Sequence, residues 1–241
     1  PPTRQELGAR AELERAAALR RALGRARGPE RAALQARVLR ALREVRARFP
    51  VQHELVAEAC FRAAEVLRAA VSSAEAAREF ELSREHGAGS DWRARAGLEL
   101  GHLERRARRH EQALVHYRAV LMDSGSAPAR RDEALLWAGR SCAELGLTEQ
   151  ARALWEQAAA QAADPCDRVA AYDALALAWI DAGDLEAAAG ELERCRTAVR
   201  ERALEETPLG ERVRSALLRM RAVARLRRAI ARRRAGVVVE R

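Results

Sequence analysis

Residues 134–155, ALLWAGRSCAELGLTEQARALW, decide the fold. Within them Ala134, Gly139, Ala151 and Trp155 stand at offsets of zero, five, seventeen and twenty-one. The same offsets recur from Ala59 (Ala64, Ala76, Phe80), from Ala96 (Gly101, Ala113, Tyr117) and from Ala171 (Ala176, Ala188, Leu192). The four origins are spaced by 37, 38 and 37 residues. Small, small and large side chains at one period are what stacked helical hairpins require. The small residues let two helices approach closely, and the large one fills the space between neighbours.

Each copy reads as a pair of amphipathic helices. In the third, helix A is predicted over 130–145, Gly146 ends it, and helix B runs over 148–163 with Thr148 as its N-cap. The fourth turns at Gly183-Asp184, and Pro128 and Pro165 stand six residues before their origins, where proline suits the first turn of a helix. Outside the copies, 3–48 reads as a helical pair broken near Gly28-Pro29, and 209–235 as one long helix after Pro208. The predicted organisation is a basic N-terminal pair over 1–50, four repeats over 51–200, and a basic capping helix and tail over 201–241.

Composition agrees with an all-α chain. Aromatics are 4%, Ile occurs only at positions 180 and 230, and Ala, Leu, Arg and Glu dominate. Every basic side chain apart from histidine is Arg, with no Lys and no Asn, the pattern of a GC-rich bacterial genome. Charge is distributed in blocks: residues 1–50 hold 13 Arg against 5 Glu, 51–195 hold 17 Arg against 25 acids, and 196–241 hold 14 Arg against 5 Glu. Two basic ends flank an acidic middle. No apolar run approaches the ~20 residues of a membrane span. The chain begins at Pro1 rather than Met, so the compartment, cytoplasmic or periplasmic, stays open.

Nothing in the sequence supports catalysis. His53, His86, His102, His110 and His116 form no His-Glu-x-x-His, Gly87-Ala-Gly-Ser90 is not followed by Gly-Lys-Ser/Thr, and there is no Gly-x-Ser-x-Gly turn. No cysteine pair has zinc or redox spacing; Cys60, Cys142 and Cys195 fall in packing slots and Cys166 in a turn. The expectation is a protein that is not an enzyme and takes no metal or cofactor.

The small–small–aromatic register resembles that of the tetratricopeptide repeat, over roughly residues 54–200. It is best in Leu135-Leu-Trp-Ala-Gly139…Ala151…Trp155 and Tyr172-Asp-Ala-Leu-Ala176…Ala188. The period exceeds the usual 34 of that family, as in its bacterial envelope members. The resemblance implies a right-handed superhelix of helical hairpins whose A helices line a groove for a partner's peptide or helix. The family's carboxylate clamp uses Lys and Asn, which this chain lacks, so that mode is not expected. The matching groove positions include Glu58, Phe61, Glu65, Arg95, Leu98, His102, Arg105, Glu133, Leu136, Arg140, Asp173 and Leu177. Of these, Phe61, Arg95, Leu98, His102, Arg105, Leu136, Arg140 and Leu177 are the candidate partner-binding set.

On the last helix Arg214, Arg221, Arg225, Arg228 and Arg232 fall on one side, next to an apolar row of Val213, Leu217, Met220, Ala224 and Ala231. The apolar row would cap the repeats and the Arg row would face outward. Three readings of that row stand: a solubilising surface, a docking surface for an acidic protein including another copy's array, or a contact for nucleic acid or anionic lipid. The leading function is a scaffold that holds a partner protein. The alternative is a regulatory or nucleic-acid-binding protein acting through the basic end.

Overall fold

The computed structural model describes residues 2–70, 72–201 and 218. The described residues hold ten α-helices and no strand: α1 (Arg4–Arg25), α2 (Gly28–Arg48), α3 (His53–Ala69), α4 (Ser73–His86), α5 (Asp91–Arg106), α6 (His110–Met122), α7 (Pro128–Glu144), α8 (Thr148–Gln161), α9 (Pro165–Ala182) and α10 (Leu185–Glu201). The four repeats are α3–α4, α5–α6, α7–α8 and α9–α10, so α3, α5, α7 and α9 are the A helices. Arg214, Arg221, Arg225, Arg228 and Arg232, with the capping helix expected around them, lie outside the described residues. The chain forms two compact units, Pro1–Ala134 and Leu135–Arg241.

In the first unit the N-terminal pair packs on the first repeat. Ala9, Leu13 and Ala16 of α1 share one core with Val38, Leu42 and Val45 of α2 and with Val56, Ala59 and Ala63 of α3. A second core joins Phe61, Ala64 and Leu67 of α3 to Ala76 and Phe80 of α4 and to Ala96 and Leu100 of α5. The 37-residue period thus buries its small and large positions against one another.

The close approach is tightest at the glycines. A Cβ on Gly101 would come inside 3.0 Å of the Tyr117 ring, and one on Gly139 would come inside 3.0 Å of the Trp155 ring. Where the facing side chain is Phe80 or Leu192, the same slot holds Ala64 or Ala176, each packed in one core with it. How closely the side chain at offset twenty-one lies over offset five therefore sets whether a methyl fits there.

A second recurrence joins the two helices of a hairpin. Ser83 Oγ donates to the Ala57 carbonyl at 2.8 Å, and Cys195 Sγ donates to the Val169 carbonyl at 3.6 Å. Both donors stand twenty-four residues after their origin, and both acceptors stand two before it. In the second copy that slot is Val120, which instead packs on Gly97.

The A-to-B turns repeat as well. In three copies the residue at offset twelve is left-handed: Arg108 at φ 59°, Gly146 at φ 75° and Gly183 at φ 83°. The next residue's N–H reaches back five positions in each: Arg109 to the Glu104 carbonyl, Leu147 to Cys142 and Asp184 to Trp179, all at 2.9 Å. This tight stop corrects the expected cap of α8. Thr148 is already helical, Leu147 holds the N-cap position, and no side chain caps α8. Asp184 does cap its helix, accepting from the Ala187 N–H at 2.9 Å.

Candidate functional site: the A-helix faces

The candidate residues divide by burial. Phe61, Leu98 and Leu136 are 4%, 3% and 6% exposed, so they belong to the packing between helices and offer a partner almost no surface. Asp173 is buried too, whereas Leu177 is 44% exposed. Glu58, Glu65, Arg95, His102, Arg105, Glu133 and Arg140 are half-buried.

In the first unit these charged residues pair laterally along successive helices. Arg20 of α1 meets Glu65 of α3 at 2.9 Å, and Arg68 of α3 meets Glu99 of α5 at 2.9 Å. His102 of α5 lies 3.3 Å from Glu133 of α7, and Arg130 of α7 lies 3.2 Å from Asp91 of α5. Glu58 pairs with Arg62 on its own helix. Arg68–Glu99 and His102–Glu133 each join one A helix to the next, and both pairs are separated by 31 residues.

His102 is also the middle of a hydrogen-bonded chain. Its Nε2 lies 3.3 Å from the Glu133 carboxylate, which can only accept, and its Nδ1 lies 2.8 Å from the Tyr117 hydroxyl, so the neutral ring that fits both contacts carries its proton on Nε2 and accepts at Nδ1. Burial pushes the Tyr117 phenol well above its ordinary range, against the opposing pull of the nearby Arg105 guanidinium. The chain Tyr117–His102–Glu133 joins α6, α5 and α7. Tyr117, expected only as a space-filling ring, is the polar hinge of this group.

Arg95 is held differently. Its guanidinium carbon lies 4.4 Å from the centre of the Trp92 ring and 4.7 Å from that of Phe61, and the two rings are 5.3 Å apart. Trp92 escaped the sequence reading because it stands four residues before its origin, outside the offsets that recur. In the second unit Arg140 lies 4.4 Å over Trp137, and Arg152 of α8 lies 4.1 Å over Trp179 of α9. Stacking of this kind fixes the cation and leaves its in-plane N–H groups directed outward.

One polar group lies away from these faces and was not foreseen. Glu79 of α4, 5% exposed, accepts from Arg43 and Arg46 of α2 at 3.1 Å each. Arg46 also reaches Cys60 Sγ at 3.5 Å. Burial raises the Cys60 thiol to about 11 against the opposing pull of Arg46. Among the described residues no three His, Cys, Asp or Glu are grouped to hold a metal ion, and no helix is long and apolar enough to cross a membrane.

No protein-family profile matches the sequence, and no curated protein matches it. Solved structures do match the fold. BtubC from P. vanneervenii superimposes with a TM-score of 0.60 at 18% identity, covering 85% of this chain and 94% of that one. PilW, described as a widely conserved type IV pilus biogenesis factor, gives 0.55 at 19% identity, with 87% and 86% covered. YrrB, described as a TPR protein with an unusual peptide-binding site, gives 0.54 at 16% identity, with 76% and 85% covered. With the in-phase register and the packed Gly101–Tyr117 and Gly139–Trp155 slots, these matches show that the chain has the tetratricopeptide-type fold of helical hairpins.

Proposed function

We propose that this protein is a non-catalytic scaffold that binds a segment of a partner protein through half-exposed A-helix faces. One observation carries the reading. Arg95 and Arg140, each on an A helix, are stacked on tryptophan rings and so are fixed before any partner arrives. Side chains already ordered lose less entropy on binding than free ones. Leu177, on α9, adds an exposed apolar anchor. The peptide-binding site named for YrrB, a protein of the same fold, supports a peptide ligand.

The alternative, nucleic acid at the basic end, rests on the 14 Arg among residues 196–241. Affinity capture separates the two. The parent and an Arg95→Glu/Arg140→Glu variant are used as bait, each with and without nuclease. A protein recovered by the parent after nuclease treatment and lost from the variant supports the scaffold. Recovery that disappears with nuclease and ignores the variant supports the nucleic-acid reading.

A further inference from the structure

We infer that Arg95 is the anchor for an acidic side chain of the bound segment, an Asp or Glu within it rather than a chain-terminal carboxylate. This deepens the scaffold reading and rests on it. The acids around Arg95 are already matched: Glu58 by Arg62, Glu65 by Arg20, Glu99 by Arg68, and Asp91 by Arg130. Glu133, at the position equivalent to Arg95 on the next A helix, lies 3.3 Å from His102 and 3.9 Å from Arg130. Among the described residues no carboxylate pairs with Arg95, whose contacts are the Trp92 and Phe61 rings.

A cation stacked on two rings and left without an anion is a surplus charge at a defined place. Arginine suits this arrangement as lysine would not: its planar fork can stack with its face and still present two parallel N–H groups to one carboxylate. The repeats are acidic overall, with 25 acids against 17 Arg over residues 51–195. Those charges oppose a ligand that is acidic throughout. The fitting segment therefore carries one or two acids in an otherwise neutral stretch.

The test uses the full chain and two synthetic peptide pools, both acetylated and amidated so that no terminal charge remains. In one pool each neutral decapeptide carries a single Asp or Glu; in the other the acid is replaced by Asn or Gln. Binding is read by fluorescence anisotropy at physiological salt, with the parent, Arg95→Gln and Arg95→Lys. The expected result is that the acidic pool binds the parent at least about tenfold more tightly than the amide pool, and that both substitutions remove the difference. Circular dichroism and melting of each variant confirm the fold. Equal binding of the two pools by the parent overturns the inference and leaves the scaffold reading standing. Acid preference that survives in Arg95→Gln also overturns it. Failure of both pools to bind the parent sinks the inference together with the peptide-holding reading.

Discussion

The Trp155 indole donates its Nε1–H to the Leu136 carbonyl at 3.2 Å, and its ring covers Gly139 so closely that a Cβ there would fall inside 3.0 Å of it. Gly139 and Trp155 are thus one unit: the absent side chain admits the ring, and the hydrogen bond orients it. The same relationship holds between Gly101 and Tyr117, whose hydroxyl continues to His102.

Gly139→Ala is expected to cost about 1–3 kcal/mol, since the indole must move and its hydrogen bond is lost, and Gly139→Leu more. Ala64→Gly, at the equivalent slot where a methyl already fits beside Phe80, creates no clash and is expected to cost only about 1 kcal/mol from helix propensity. Urea unfolding of the three variants checks the order. Equal losses for Gly139→Ala and Ala64→Gly would mean that ring clearance does not set the residue at this slot.

Trp155→Ala and Tyr117→Ala should each lose roughly 3–5 kcal/mol, the range for a buried large aromatic. Trp155→Phe keeps most of the packing and removes the donor, so a smaller loss, about 1 kcal/mol from the hydrogen bond, is expected. Thermal melts followed by helix signal distinguish these. A Trp155→Ala protein as stable as the parent would place that ring outside the core.

Arg108 holds the left-handed position that Gly146 and Gly183 hold in the next two repeats. A non-glycine residue there is strained by about 1–2 kcal/mol, and glycine relieves it at some cost in unfolded-state entropy. Arg108→Gly is therefore expected to raise stability by roughly 0.5–1 kcal/mol and the Tm by about 2 °C. A lower Tm for this variant would show that the Arg108 side chain contributes more than its backbone loses.

Cys60 gives a pH signature. Burial raises its thiol from 9.0 to about 11, so the folded protein keeps a proton that the unfolded chain releases. Stability from this group is full below pH 9 and is lost as pH rises toward about 11, by an amount on the order of 2 kcal/mol. Cys60→Ala should flatten the fall over that window, seen in denaturant midpoints at pH 8 and pH 10. The same slope in both proteins would contradict a buried thiol. Native alkylation should label Cys166, the exposed thiol, and spare Cys60, Cys142 and Cys195.

The repeat register was legible because steric fit recurs: Gly101 and Gly139 must be small wherever Tyr117 and Trp155 are large, and that constraint leaves one pattern at one period. The turn chemistry was half legible. Gly146 and Gly183 announce left-handed stops, but Arg108 holds the same geometry without any such signal, and Thr148 imitates a cap that the tight turn makes unnecessary. At the candidate site, Arg95, His102 and Arg140 lie half-buried on A helices, as helical phase expects. It could not say that Phe61, Leu98 and Leu136 are consumed in packing, because burial depends on the neighbouring hairpin rather than on phase. The Arg43–Arg46–Glu79–Cys60 group joins residues 14 to 36 positions apart across three helices, and no periodicity marks it.

Site-specific photo-crosslinking tests the scaffold account most directly. A photoreactive residue is placed one at a time at Arg95 and Leu177 on A helices, and at Met122 and Glu156, which are exposed on α6 and α8. Each variant is irradiated in nuclease-treated native extract. The account predicts one discrete crosslinked protein from the Arg95 and Leu177 positions, and none from Met122 or Glu156. A crosslinked partner that forms only from Met122 or Glu156 would contradict it, placing the binding surface on the B helices.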